Sequence, residues 1–281
     1  MKSFDSNYRE VESDIRTDFK DSMAYGDYLH LDKVLSAQEM RTDENDEMLF
    51  VVIHQASELW LKLAGHEVNA AIALIDEGKF RPSFRVLARV RQILEQMKQS
   101  WSILATMTPV DYLKFRDSLG NASGFQSVGY RALEFMLGNK NAGVVKVHKD
   151  RPVDMAKLEQ QLQKPSLYDV SIRQLERAGF SIDAELSTRD LTQPYQHNGS
   201  VEAAWTKVYR FSERFYDLYE LAETLVDIED AFQNWRFRHM YTVQRIIGFK
   251  RGTGGSSGVG FLRKALDTSF FPELLALRSN I

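Results

Sequence analysis

Apolar positions along the chain recur at helical spacing over long stretches, and no segment alternates in the manner of paired strands. The segment "MLFVVIHQASELWLKLA" is apolar on almost every side, which predicts a buried central helix over about 43–76. Asp43, Glu44, Asp46 and Glu47 suit the positive end of that helix. A second long helix is predicted at 81–106. In "TPVDYLKFRD", Thr108 can cap, Pro109 fits the first helical position, and Asp111 falls in the first turn. Ser123 and Gln126 have capping-box spacing into a helix reaching 137, which Gly138 can end. Residues 139–153 read as irregular, and helices follow at 154–163 and 166–178 around Pro165. A polar connection covers 180–198. Two helices are expected at 200–226 and 228–247, because one unbroken helix over 200–247 would span roughly 70 Å. That length places a break near "TLVDIED", and 260–268 reads as helical again. The expected fold class is all-α: a single domain over 23–281 built around a bundle of long helices, preceded by a polar arm at 1–22.

Composition narrows the partners. The net charge is −3 and the pI about 6.1, without the basic surplus of a nucleic-acid binder. The absence of cysteine excludes disulfides and thiolate-held metals and fits a reducing, cytoplasmic setting. The charged N-terminus lacks the apolar core of a signal peptide, and no run of 18 apolar residues predicts a membrane span.

Six histidines occur, and two stand among apolar residues. His54 lies inside the apolar run of the first long helix. His239 lies on the stripe Ile228, Phe232, Trp235, His239, Thr242, Ile246, whose steps alternate between three and four. Each histidine can be read as a hydrogen-bonded core residue, or both can be read as facing one internal site. The Glu-x-x-His pairs of a di-iron bundle are missing, and "HEVNA" lacks the second histidine of a zinc motif. A single axial histidine facing an apolar cavity suits haem. Phe50 with His54, and Tyr112 with Arg116, form i,i+4 pairs. Together they could grip a flat ring bearing a carboxylate; alternatively Arg116 pairs with a surface acid.

Glycine occupies five of the ten positions 251–260. No Gly-Lys follows, so this is not a P-loop. The spacing from Gly252 fails the dinucleotide fingerprint at its third glycine and follows a helix, not a strand. The segment therefore reads as a flexible loop or a lid closing near a ligand.

Four stretches together resemble the tryptophan 2,3-dioxygenase family: "YGDYLHLDKVLSAQ" (25–38), "DEMLFVVIHQASELWLKL" (46–63), "FRDSLGNASGFQSVGYR" (115–131) and "WRFRHMYTVQRIIGFKRGTGGSSGVGFLRK" (235–264). The resemblance implies an all-α protein with one haem b per subunit. Its implied activity is cleavage of the indole C2–C3 bond of L-tryptophan with O2, giving N-formyl-L-kynurenine. It implies His239 as the axial ligand of the haem iron and His54 as the distal histidine, with Phe50 packing on the substrate ring. Val51, Val52, Ile53, Tyr112 and Ser123 fall in its substrate pocket; Arg116 would bind the substrate carboxylate and Thr253 the amino-acid group. It further implies a homotetramer in which Tyr25, Tyr28, Leu29 and Leu31 of one subunit close a neighbour's site.

Overall fold

The computed structural model describes residues 7–281; the first six residues of the predicted polar arm lie outside them. Contacts divide the chain into a unit ending at Met40 and a unit spanning Arg41–Ile281. The first unit carries two short helices, α1 (Tyr25–Leu29) and α2 (Leu31–Val34), joined at His30.

The second unit is all-α, with no strand among the described residues. It opens on α3 (Asn45–Asp76) and α4 (Phe80–Leu104). Glu47 secures the start of α3: its carboxylate accepts hydrogen bonds from the Arg41 and Thr42 amides, both at 2.8 Å, and from the Thr42 hydroxyl at 2.6 Å. Short α5 (Pro109–Phe115) follows, capped by Thr108, whose hydroxyl accepts from the Asp111 amide. The Ser123–Gln126 capping box is present, but it opens a 3-10 turn over Gly124–Gln126. Ser127 caps α6 (Val128–Leu137) instead, accepting from the Tyr130 amide at 3.0 Å.

Next come α7 (Ala142–Val145), α8 (Pro152–Gln163), α9 (Leu167–Arg177) and α10 (Ala184–Thr188). The last of these is a short helix inside the polar connection. Then α11 (Gly199–Arg210) leads through a turn to α12 (Tyr216–Ile247), α13 (Val259–Leu266) and α14 (Pro272–Ala276).

The break expected near "TLVDIED" is not there. The chain bends at 211–215, and α12 runs unbroken for 32 residues, about 48 Å. Leu221, Leu225, Ile228 and Phe232 form one buried stripe through the supposed break, so packing against α4 holds the helix continuous. The centre of the domain is α3 against α4 and α4 against α12, with α6 and α9 laid on α3 and α13 beside α12. This arrangement brings both His54 of α3 and His239 of α12 against Trp101 from α4.

Candidate functional site

A cavity of about 280 Å³ lies among α3, α4, α6 and α12. Further walls come from α5, from 119–127, from the glycine loop between α12 and α13, and from α13 itself. Phe50 and His54, one turn apart on α3, both line it, with ring centroids 4.1 Å apart. Trp101 stacks on His239 at 4.5 Å with a 15° interplanar angle and meets His54 edge-on at 6.2 Å. Trp235 flanks His239 from the preceding turn at 5.6 Å.

Both histidines are held neutral. Burial pushes His239 down to about 4, with the nearby His54 adding to the effect. Burial also lowers His54, against a backbone hydrogen bond that favours its charged form. That bond joins Nδ1 to the Phe50 carbonyl at 2.7 Å. A carbonyl only accepts, so Nδ1 carries the proton and Nε2 is the acceptor of the neutral ring. A neutral imidazole is also the form that binds a metal.

The walls hold donors without partners. The Trp101 and Trp235 indole nitrogens, Arg131 Nε and Thr242 Oγ1 are all buried and unbonded, and all four residues line this cavity. Leaving such groups unsatisfied costs about 1–3 kcal/mol each, which a ligand with acceptors would offset. One side is also cationic. The Glu134 carboxylate bridges Arg131 Nη1 at 2.6 Å and Arg236 Nη2 at 2.8 Å. Arg236 Nε donates to the Tyr130 hydroxyl at 3.1 Å, and Arg131 lies over the Phe125 ring. Within this trio two guanidiniums face one carboxylate; Glu58, exposed on α3, is the other carboxylate along the cavity.

The polar groups named from the sequence gather at the loop. Tyr112, Ser123 and Thr253 line the cavity. Arg116, one turn beyond Tyr112, donates through Nη2 to the Arg251 carbonyl at 2.8 Å, while its Nε is buried without a partner. Burial raises the Tyr112 hydroxyl, and the Arg116 charge opposes this. Thr253 Oγ1 donates to the Ala122 carbonyl at 2.5 Å.

Other named residues stand apart. Val51 is half-buried, Val52 faces outward and Ile53 sits in the core; none lines the cavity. In the N-terminal unit, Tyr25, Tyr28 and Leu29 are exposed and Leu31 is half-buried. Among the wall residues that the sequence did not single out are Trp101, Arg131, Glu134 and Arg236. Arg131 and Glu134 have i,i+3 spacing, and Arg236 stands beside the apolar stripe, next to Trp235 and three residues before His239. Those were the available signals.

The donor set suits a metal carried by an organic ring more than a bare ion. No group of three or more His, Asp or Glu residues could hold a metal among the described residues. One neutral histidine, flat aromatic walls and a cationic edge match a planar macrocycle bearing carboxylates.

Comparison with known proteins agrees with the sequence resemblance. The profile of the tryptophan 2,3-dioxygenase family matches residues 10–281. The chain is similar to tryptophan 2,3-dioxygenase of Shewanella woodyi, 59% identical over 275 residues, covering 98% of this chain and 96% of that protein. It is likewise similar to the enzyme of Bacillus anthracis, 54% identical over 271 residues, with 96% and 97% covered. For the enzyme of Pseudomonas fluorescens the identity is 54% over 268 residues, with 95% and 94% covered. With near full-length similarity at this level, the chain belongs to the tryptophan 2,3-dioxygenase family.

Proposed function

We propose that this chain is a haem-dependent dioxygenase converting L-tryptophan and O2 to N-formyl-L-kynurenine. Both oxygen atoms enter the product across the broken C2–C3 bond, so no external reductant is consumed. The observation that carries the reading is the pair of neutral histidines, His54 and His239, facing one cavity from α3 and α12 with Trp101 against both.

Haem b, one per subunit, would be held by His239 and would supply the iron that makes O2 reactive. Arg131 and Arg236 are suited to its carboxylates, because the two guanidiniums share the single carboxylate of Glu134 and Arg131 Nε is buried without a partner.

The chain's own residues then bind and orient the amino acid. His54 Nε2, the free acceptor of the neutral ring, would take a hydrogen bond from the indole N–H. That N–H is a very weak acid, poorly matched to a histidine whose affinity for protons is lowered further by burial. His54 therefore orients the ring and does not remove its proton. Phe50 would pack on the indole. Arg116 would take the carboxylate in a charge-assisted pair, and Thr253 would meet the amino-acid group from the loop. Tyr112 and Ser123 wall the same space. Val51, Val52 and Ile53 would act through the helix that sets Phe50 and His54. Fixing both ends of the substrate and excluding water accounts for the protein's share of the acceleration.

The assembly would be a homotetramer, with the first 22 residues as an arm and Tyr25, Tyr28, Leu29 and Leu31 closing a neighbour's site. Exposed Met48, Val52 and Leu59 along α3 support an apolar subunit contact. No helix among the described residues is long and apolar enough to cross a membrane, and a cytoplasmic location is part of the proposal.

Haem titration of the purified protein tests the reading. A Soret band saturating at one haem per chain, shifted by L-tryptophan, is the expected result. A protein that never takes up haem would overturn it, and uptake without any response to tryptophan would favour a haem carrier.

A further inference from the structure

The glycines of the loop between α12 and α13 serve different ends, and the space around each separates them. A side chain at Gly252 would meet only Ser256 Oγ, the movable tip of a side chain in the same loop. Gly258 has φ +62°, and a Cβ there would come within 2.5 Å of the Lys250 carbonyl oxygen, so it shuts the loop's base on itself. Gly254 differs from both. A Cβ at 254 would lie 2.7 Å from Ser123 Cβ and 2.9 Å from Ser123 Oγ, across a seam between the loop and 119–127.

Ser123 has little freedom to yield. Its hydroxyl accepts from the Phe125 amide at 3.3 Å, and its own amide donates to Gln126 Oε1 at 3.4 Å. Its Cβ is fixed by the backbone of that capped turn. The seam is flanked by two latches. Thr253 Oγ1 donates to the Ala122 carbonyl, and Arg116 Nη2 donates to the Arg251 carbonyl. Both latch side chains are also the ones assigned above to the substrate's zwitterionic end.

We propose that Gly254 is a positioning residue: its bare backbone seats the loop on Ser123, which sets Thr253 and the Arg116–Arg251 latch for the substrate's zwitterionic end. The role assigned to the substrate rests on the function proposed above, whereas the seam itself does not. A methyl group at 254 would hold the loop off by more than the hydrogen bonds of both latches tolerate. The loss then falls on substrate affinity, since Thr253 and Arg116 are the side chains bonded across the seam, whereas His54 and His239 are carried by α3 and α12.

A double-mutant cycle tests this, with Ser123→Gly as the second site because it removes both clashing atoms. The full-length haem-loaded protein is compared as wild type, Gly254→Ala, Ser123→Gly and the double variant, with Gly252→Ala alongside. Gly254→Ala is expected to raise KM for L-tryptophan about tenfold or more when Ser123 is present and about twofold or less on top of Ser123→Gly. Gly252→Ala should raise it less than Gly254→Ala. Trypsin cleavage after Lys250 and Arg251, measured without tryptophan, gives a second readout. Gly254→Ala should accelerate cleavage, and Ser123→Gly should largely remove that acceleration. An equal Gly254→Ala effect with and without Ser123→Gly, or no effect on either readout, overturns the proposal. If the wild type turned over no tryptophan, the functional reading would fail while the trypsin cycle still decided the seam.

Discussion

Glu134→Gln isolates the cationic wall of the cavity. The substitution keeps shape and removes one charge. Glu134 bridges Arg131 and Arg236, at 2.6 and 2.8 Å, and the three side chains are 9%, 10% and 3% exposed. Without its charge, two buried guanidiniums face each other across an amide that can accept from only one of them well. Removing one partner of a buried ion pair costs about 3–5 kcal/mol. At about 2–4 °C per kcal/mol for a domain of this size, the haem-free protein should melt roughly 6–20 °C lower. An anionic ligand at the same wall should offset part of that loss, so the haem-loaded variant should lose less than the haem-free one. Calorimetry on both forms measures the two shifts. A shift under about 2 °C without haem would refute the charge argument. Equal shifts in the two forms would refute the assignment of this wall to the cofactor's carboxylates.

His239→Ala should abolish stoichiometric haem uptake, read from the Soret band, while far-ultraviolet circular dichroism stays that of the all-α fold; unchanged uptake would remove the axial ligand assignment. Arg116→Ala should lose about 10–100-fold in kcat/KM for L-tryptophan and far less for tryptamine, which lacks the carboxylate; equal losses would argue against the clamp. The haem-free protein should also carry a histidine signature in its pH dependence. Burial holds His239 at about 4 against an ordinary 6.5, so the folded state binds fewer protons than the unfolded one between those values. Its contribution is therefore complete above pH 6.5 and lost as pH falls toward about 4, a difference of about 3 kcal/mol. His239→Gln should flatten that slope in urea melts across this range, and an unchanged slope would contradict the burial argument.

How much the sequence disclosed follows the range of the interactions involved. The Thr108–Pro109 start of α5 and the stripe holding His239 are local patterns that the structure carries, and α3 does stand at the centre of the helix packing. Its apolar run is not buried all round, however: Ile53, Leu61 and Ala64 face the core while Met48, Val52 and Leu59 are exposed. Ser123 and Gln126 form their capping box, but the next serine, Ser127, takes the α-helix. Local spacing does not rank two adjacent caps. The break placed near "TLVDIED" came from a length argument that ignored the partner helix. Once α4 covers the stripe from Leu221 to Phe232, a helix of about 48 Å is stable and the turn falls at 211–215. In the cavity, Phe50 and His54 were legible as neighbours on one helix. Arg236 and Glu134 were not, because 102 residues separate them in sequence. Trp101 looked like any core aromatic of α4 until the packing set it against both histidines.

A turnover balance decides whether the chain is a tryptophan dioxygenase. Reduced, haem-loaded protein is mixed with L-tryptophan and O2, with no further reductant, and the losses of tryptophan and O2 are compared with the N-formylkynurenine formed. Equal amounts of all three are expected over many turnovers, with both oxygen atoms of isotopically labelled O2 in the rapidly quenched product. Tryptophan left unchanged by fully haem-loaded protein, or product carrying a single labelled atom, would contradict it.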